Sequence, residues 1–170
     1  GAKVAQGDLL IFYDDDMRPD QYSVQRHLTL LTSQEGIISA GQQLETTSNS
    51  TEFVKYKAFL TRKWVSNYGD KIVVLNQNNL FLIAANMGIC KNTLFKLNGF
   101  DPTLRDSEDY DLAVRAFLIG IKTIFDPQNI AYHHSFESAK DYNDMLEHPP
   151  DDVKATLLKN DVFIIICERR

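Results

Sequence analysis

Gly7-Asp8-Leu9-Leu10-Ile11-Phe12-Tyr13-Asp14-Asp15-Asp16-Met17-Arg18-Pro19 is the stretch whose reading decides the fold. Leu9 to Tyr13 is apolar without alternation, the pattern of a strand buried on both faces of a parallel sheet. Three consecutive carboxylates end it. Acids at the tip of a buried strand repel one another and gain nothing from packing, whereas open α/β sheets bind their ligands at this carboxyl edge. A positive occupant is expected there, and a divalent cation is the simplest one. In an extended chain Asp14 and Asp16 point to one side of Asp15, so the two can grip one ion directly or through water. The alternative is a solvated acidic turn ahead of a helix opened by Pro19.

Working outward, the helix after Pro19 is expected to run to about Ser33, with Val24, Leu28 and Leu31 on one face. Gly36 to Ala40 reads as a second strand, and Gln42 to Thr51 as a polar surface loop. Glu52 to Ser66 carries Phe53, Tyr56, Phe59, Leu60 and Trp64 at helical spacing. This stripe is expected to face the core, the alternative being an aromatic surface for a sugar acceptor. Ile72 to Leu75 and Asn79 to Ala85 read as strands, and Thr93 to Leu97 as a short helix stopped by Asn98-Gly99. Ser107 to Ile119 reads as a helix, followed by short strands at Lys122 to Phe125 and Ile130 to His133. Asp151 to Leu158 is expected to be helical, while Asp161 to Cys167 fits either a strand or a helix. The class is mixed α/β.

Composition narrows the function. A chain of 170 residues is long enough for one domain with a real core. A net charge of -5 argues against a nucleic-acid groove, which needs clustered Lys and Arg. It leaves phosphate open, because a metal held by acids binds phosphate without a basic patch. The apolar runs Leu80 to Ala85 and Val162 to Cys167 are too short to cross a bilayer, so any membrane association is expected through regions outside this chain. No secretory pattern opens the sequence. Cys90 and Cys167 give neither a disulfide framework nor a zinc spacing, and are expected to be reduced thiols of a cytoplasmic protein.

Two further clusters bear chemistry. Arg105-Asp106-Ser107-Glu108-Asp109-Tyr110-Asp111-Leu112 opens a helix with acids, which the macrodipole favours, and Asp106 or Ser107 is a suitable N-cap. Its functional alternative is that Asp109 faces a cleft and takes a proton from a hydroxyl. Tyr132-His133-His134-Ser135 places imidazoles at a strand end, where they serve as metal ligands, proton carriers or structural residues.

Taken in order, these segments resemble family 2 glycosyltransferases of the GT-A fold. The matching residues are Asp14 to Asp16, Asn86 to Lys91, Asn98-Gly99-Phe100-Asp101, Glu108-Asp109-Tyr110-Asp111-Leu112 with Arg115, and His133-His134 with Ser138. Gly120-Ile121-Lys122 and Asp126-Pro127 look like that family's return to the sheet. The resemblance implies a mixed sheet flanked by helices over residues 1–138, as the C-terminal portion of a GT-A domain. It leaves 139–170 as a helical extension of unknown role. The family's N-terminal nucleotide-binding strands have no counterpart in the segment.

By the same resemblance Asp14 and Asp16 hold Mg or Mn on the diphosphate of a nucleotide-sugar donor, with Asp15 and Asn86 on the donor side. Asp109 is the implied catalytic base and Glu108 its neighbour that binds hydroxyls. His133 or His134 joins the metal shell. Phe100 and Leu112 are packing residues and Gly99 a backbone turn. The implied acceptor is a saccharide or a lipid-linked saccharide, as in polysaccharide biosynthesis. Two other readings compete: a metal-dependent phosphohydrolase, in which Asp14 and Asp16 follow a strand in the same way, and a sugar-binding scaffold without turnover.

Overall fold

The computed structural model describes residues 1–46, 52–104, 107–133 and 162–167. The elements are β1 (Leu9–Asp14), β2 (Met17–Pro19), α1 (Ser23–Ser33), β3 (Ile37–Glu45), α2 (Glu52–Val65), β4 (Val73–Val74), β5 (Asn86–Cys90), α3 (Lys91–Lys96), α4 (Glu108–Leu118), β6 (Lys122–His133) and β7 (Val162–Cys167). Among the described residues the strands form one sheet in the order β2-β6-β3-β5-β1-β7, with β4 also pairing β6. The sheet is mixed: β1 runs antiparallel to β5 and parallel to β7, while β3 runs parallel to β6 and antiparallel to β5.

Side-chain alternation along β1 creates two cores. Leu10 and Phe12 face a large cluster with Ile38, Met87, Ile89 and Phe125, closed by Val65 of α2, Leu94 of α3, and Leu112 and Ala116 of α4. Ile11 and Tyr13 face the opposite side, where Val24 and Leu28 of α1 cover them. Helices therefore lie on both faces of the sheet. Phe100 meets Phe12 edge-on at 5.6 Å and Leu112 is fully buried, as packing residues should be. Among the described residues no helix is long and apolar enough to cross a membrane.

Several expectations are corrected. Pro19 ends a short strand on the edge of β6 instead of opening a helix, a position where its missing N–H costs no ladder bond. Asp20 Oδ1 then accepts the Tyr22 N–H, and the helix starts at Ser23. The polar stretch from Gln42 continues β3 as far as Glu45; residues 47–51 lie outside the described residues. The strand expected over Asn79 to Ala85 is coil and turn, and the ladder begins one residue later, at Asn86. The two short strands after Lys122 are one, interrupted by a bulge: Ala40 pairs Phe125 but Gln42 pairs Ile130. Asp126, clamped by Arg26 at 3.0 Å, accepts the Gln128 N–H and shapes that bulge.

The described side chains of the aromatic stripe of α2 do not form the expected core face either. Tyr56 and Phe59 are both 57% exposed, while Ala58 and Val65 turn inward and Trp64 packs on Phe81 at 4.2 Å. A cavity of about 370 Å³ lies beside Trp64 and Phe81. Within the expected helical extension, Val162–Cys167 is a strand on the edge of β1, a run too short and too apolar for a surface helix. The helix expected at Asp151 to Leu158 lies outside the described residues.

Candidate functional site

The sheet ends are pinned by a polar network with almost no solvent exposure. Asn86 Nδ2 donates to the carbonyls of Gln42 and Asn129, both at 3.0 Å, which fixes its amide orientation. Asn86 Oδ1 is then an acceptor and takes the His27 Nε2 hydrogen at 2.8 Å. His27 Nδ1 must accept, and it does so from the Ser39 hydroxyl at 2.8 Å. Ser23 Oγ joins Asn129 Oδ1 and the Tyr13 hydroxyl. Complete burial pushes His27 down from 6.5 to about 4, against the opposing hydrogen bond from Asn86 and the charge of Asp126. The imidazole is therefore neutral at pH 7, in agreement with the tautomer its partners demand.

Two glycines make this network fit. A Cβ on Gly41 would overlap the Asn86 amide, and one on Gly88 would touch His27 Nδ1 at 3.0 Å. Asn86 is fully buried and spends both ends of its amide inside the protein. The structure therefore gives it the task of joining β3, β5, β6 and α1, in place of the donor contact expected from the resemblance.

From this braced edge project the acids and the histidine. Asp14 closes β1 and is half-buried, Asp15 is exposed, and Asp15 and Asp16 form the turn into β2. The extended geometry expected for the three acids is thus bent at its second member. Asp16 Oδ2 lies 2.9 Å from His133 Nε2, joining the acidic tip to the end of β6. The other ring nitrogen, Nδ1, is 2.7 Å from Glu45 Oε2. Glu45 had no place in the sequence reading. His134 lies outside the described residues.

Asp109 sits in the first turn of α4, where Glu108 and Asp111 accompany it. Ser107 occupies the cap position in a left-handed backbone conformation (φ 65°) and makes no side-chain cap bond, so its expected capping role is not fulfilled. Asp106 lies outside the described residues. Asp109 Oδ1 accepts the Tyr110 N–H at 2.7 Å and Oδ2 the Ala84 N–H at 3.3 Å. Burial raises its carboxyl above the usual range, the two N–H groups pull it back, and the charge of Glu108 adds to the rise. A carboxylate so tuned is a better proton acceptor at neutral pH than an exposed one. Ala85, next to Ala84, packs in the same apolar cluster as Tyr13, Met17 and Ala131. The segment that anchors Asp109 thus also packs against residues of β1, β2 and β6.

The remaining motif residues do structural work. Arg115 binds Asp111 Oδ2 and the carbonyls of Leu97 and Gly99, tying α4 to the left-handed Asn98-Gly99 turn. Lys91 donates from Nζ to the Ala5 carbonyl and from its backbone to Asp8, holding the chain that enters β1.

As a metal site, the set is partial. Among the described residues no group of three or more His, Cys, Asp or Glu side chains is arranged to hold an ion. Asp16 Oδ2 and His133 Nε2 face each other at 2.9 Å, an oxygen and a nitrogen donor in mutual contact and not a preformed cage. A mixed O and N pair fits Mn better than Mg, which prefers oxygen alone. No family model matches the chain, and no curated protein matches it.

Proposed function

We propose that this chain carries the cation-binding edge and catalytic base of a metal-dependent inverting glycosyltransferase, similar to family 2. It would transfer a sugar from a nucleotide-sugar donor to a hydroxyl of a saccharide or lipid-linked acceptor. The observation that supports this most is the 2.9 Å approach of Asp16 to His133, which unites the first and last motifs of the resemblance. Asp16 and His133 are the residues that would hold the ion. When bound, the ion neutralises charge on the departing diphosphate.

Asp109, its carboxyl raised by burial, takes the proton from the acceptor hydroxyl. That oxygen then attacks the anomeric carbon from the face opposite the leaving group, and a single displacement inverts the centre. The Ala84 and Tyr110 N–H groups keep the carboxylate oriented as it does so.

The test is calorimetric titration of nucleoside diphosphates with and without Mn. Binding that needs Mn and disappears in Asp16→Ala supports the reading. Binding that ignores Mn, or no binding to the wild type, contradicts it.

A further inference from the structure

We propose that Glu45 is the positioning residue of this site, accepting a hydrogen bond from His133 Nδ1 so that Nε2 is aimed at Asp16. The inference rests on the cation-site reading above and deepens it. Glu45 and His133 face each other in the parallel register of β3 and β6, with side chains only 6% and 7% exposed. Their atoms are 2.7 Å apart.

A carboxylate buried this deeply costs several kcal/mol unless it is paired, so mere packing at this position would favour an apolar residue. The next residue reinforces the grip: Thr46 donates to the His133 carbonyl from its backbone N–H at 3.2 Å and from Oγ1 at 2.8 Å. Ring and backbone of His133 are therefore both held from the end of β3. A histidine that ligates a metal through one nitrogen commonly donates the other N–H to a carboxylate, which fixes the tautomer and strengthens the ligand. Glu45 stands where that partner belongs, on the ring edge away from Asp16.

Mn alone is the probe, titrated by electron paramagnetic resonance against wild type, Glu45→Gln, Glu45→Leu and His133→Ala, with thermal unfolding recorded for each. Glu45→Leu removes the acceptor and is expected to weaken Mn binding about 10–100-fold. Glu45→Gln keeps a carbonyl acceptor but loses the charge, and is expected to recover part of that loss while staying about threefold or more weaker than wild type. Wild-type affinity in both Glu45 variants, alongside loss in His133→Ala, overturns the role of Glu45 and leaves the cation site standing. If Glu45→Leu does not fold, the Gln variant decides alone. Absence of Mn binding in the wild type, or full binding in His133→Ala, removes the cation site and this inference with it.

Discussion

Asp16 and His133 are 117 positions apart in the chain and 2.9 Å apart in space. The approach depends on β6 running unbroken through its bulge to reach the turn that follows β1. A strand that stopped at Pro127 would leave the histidine short of the acids. The carboxyl edge thus gathers groups from β1, β3 and β6, the usual location for ligands in sheets of this class.

Replacing the base isolates its task. Asp109→Asn is expected to lower kcat for sugar transfer by at least about 10²–10⁴-fold, the range typical of general-base assistance. Mn affinity should stay within about twofold of wild type, because such losses belong to metal ligands and their partners, and Asp109 is neither. Steady-state kinetics together with a Mn titration check both halves.

The pH profile carries a sign. Asp109 must be ionised to accept a proton, and burial raises its carboxyl above the ordinary value. The acid limb of kcat/KM should therefore lie above the usual carboxylate range, with activity falling as pH drops through it. The charge of Glu108 contributes to the rise, so Glu108→Gln should move that limb to lower pH. A limb that moves upward in this variant, or does not move, counts against the assignment.

Stability has its own pH window. The folded protein holds His27 at about 4, below its unfolded value of 6.5. Between those values the unfolded chain binds more protons, so stability rises with pH there. The contribution is complete above 6.5 and is lost as pH falls towards 4, a change of about 3 kcal/mol. Urea unfolding at pH 7 and pH 4.5 should show this loss in wild type, and a smaller loss in a folded His27→Gln variant.

The Asn86 network makes a coupled prediction. Asn86→Ala leaves the His27 N–H and the Gln42 and Asn129 carbonyls without their partner, at a cost of about 3 kcal/mol. Gly41→Ala forces a methyl group into the Asn86 amide and costs about 1–3 kcal/mol. Together they should cost less than their sum, since truncating the Asn86 side chain removes the amide overlap and leaves only the Asn129 carbonyl, 2.7 Å from the added Cβ, to give way. A double-mutant cycle by denaturant unfolding measures the coupling.

The legible parts of the fold were those with strong local patterns. Leu9 to Tyr13 is continuously apolar because both faces of β1 are covered, and α1 and α4 show their buried stripes plainly. The Asn86–Cys90 strand was hidden because Gly88, needed for the close approach of His27, reads as a breaker. The preceding Leu80 to Ala85 is apolar for another reason: Phe81 and Leu82 fill the space beneath α2 without joining the ladder. Lys122 to Phe125 and Ile130 to His133 read as two strands where the chain only bulges between them. Asp16, His133 and Asp109 were readable as types in order. Glu45 was not, because a single buried acid in a polar stretch looks like a loop. The one available clue was length, since β3 needed to match its long neighbour β6.

The most direct test of the account is the electron spin-echo modulation of Mn bound to the wild-type chain. Asp16 and His133 acting as ligands predicts a nitrogen-14 modulation from a coordinated imidazole, abolished in His133→Ala. Mn affinity should also fall about tenfold or more in Asp16→Asn, as expected when one of two protein ligands is lost. Bound Mn with no nitrogen modulation, or a modulation that survives in His133→Ala, would contradict the claim that these two residues form the cation site.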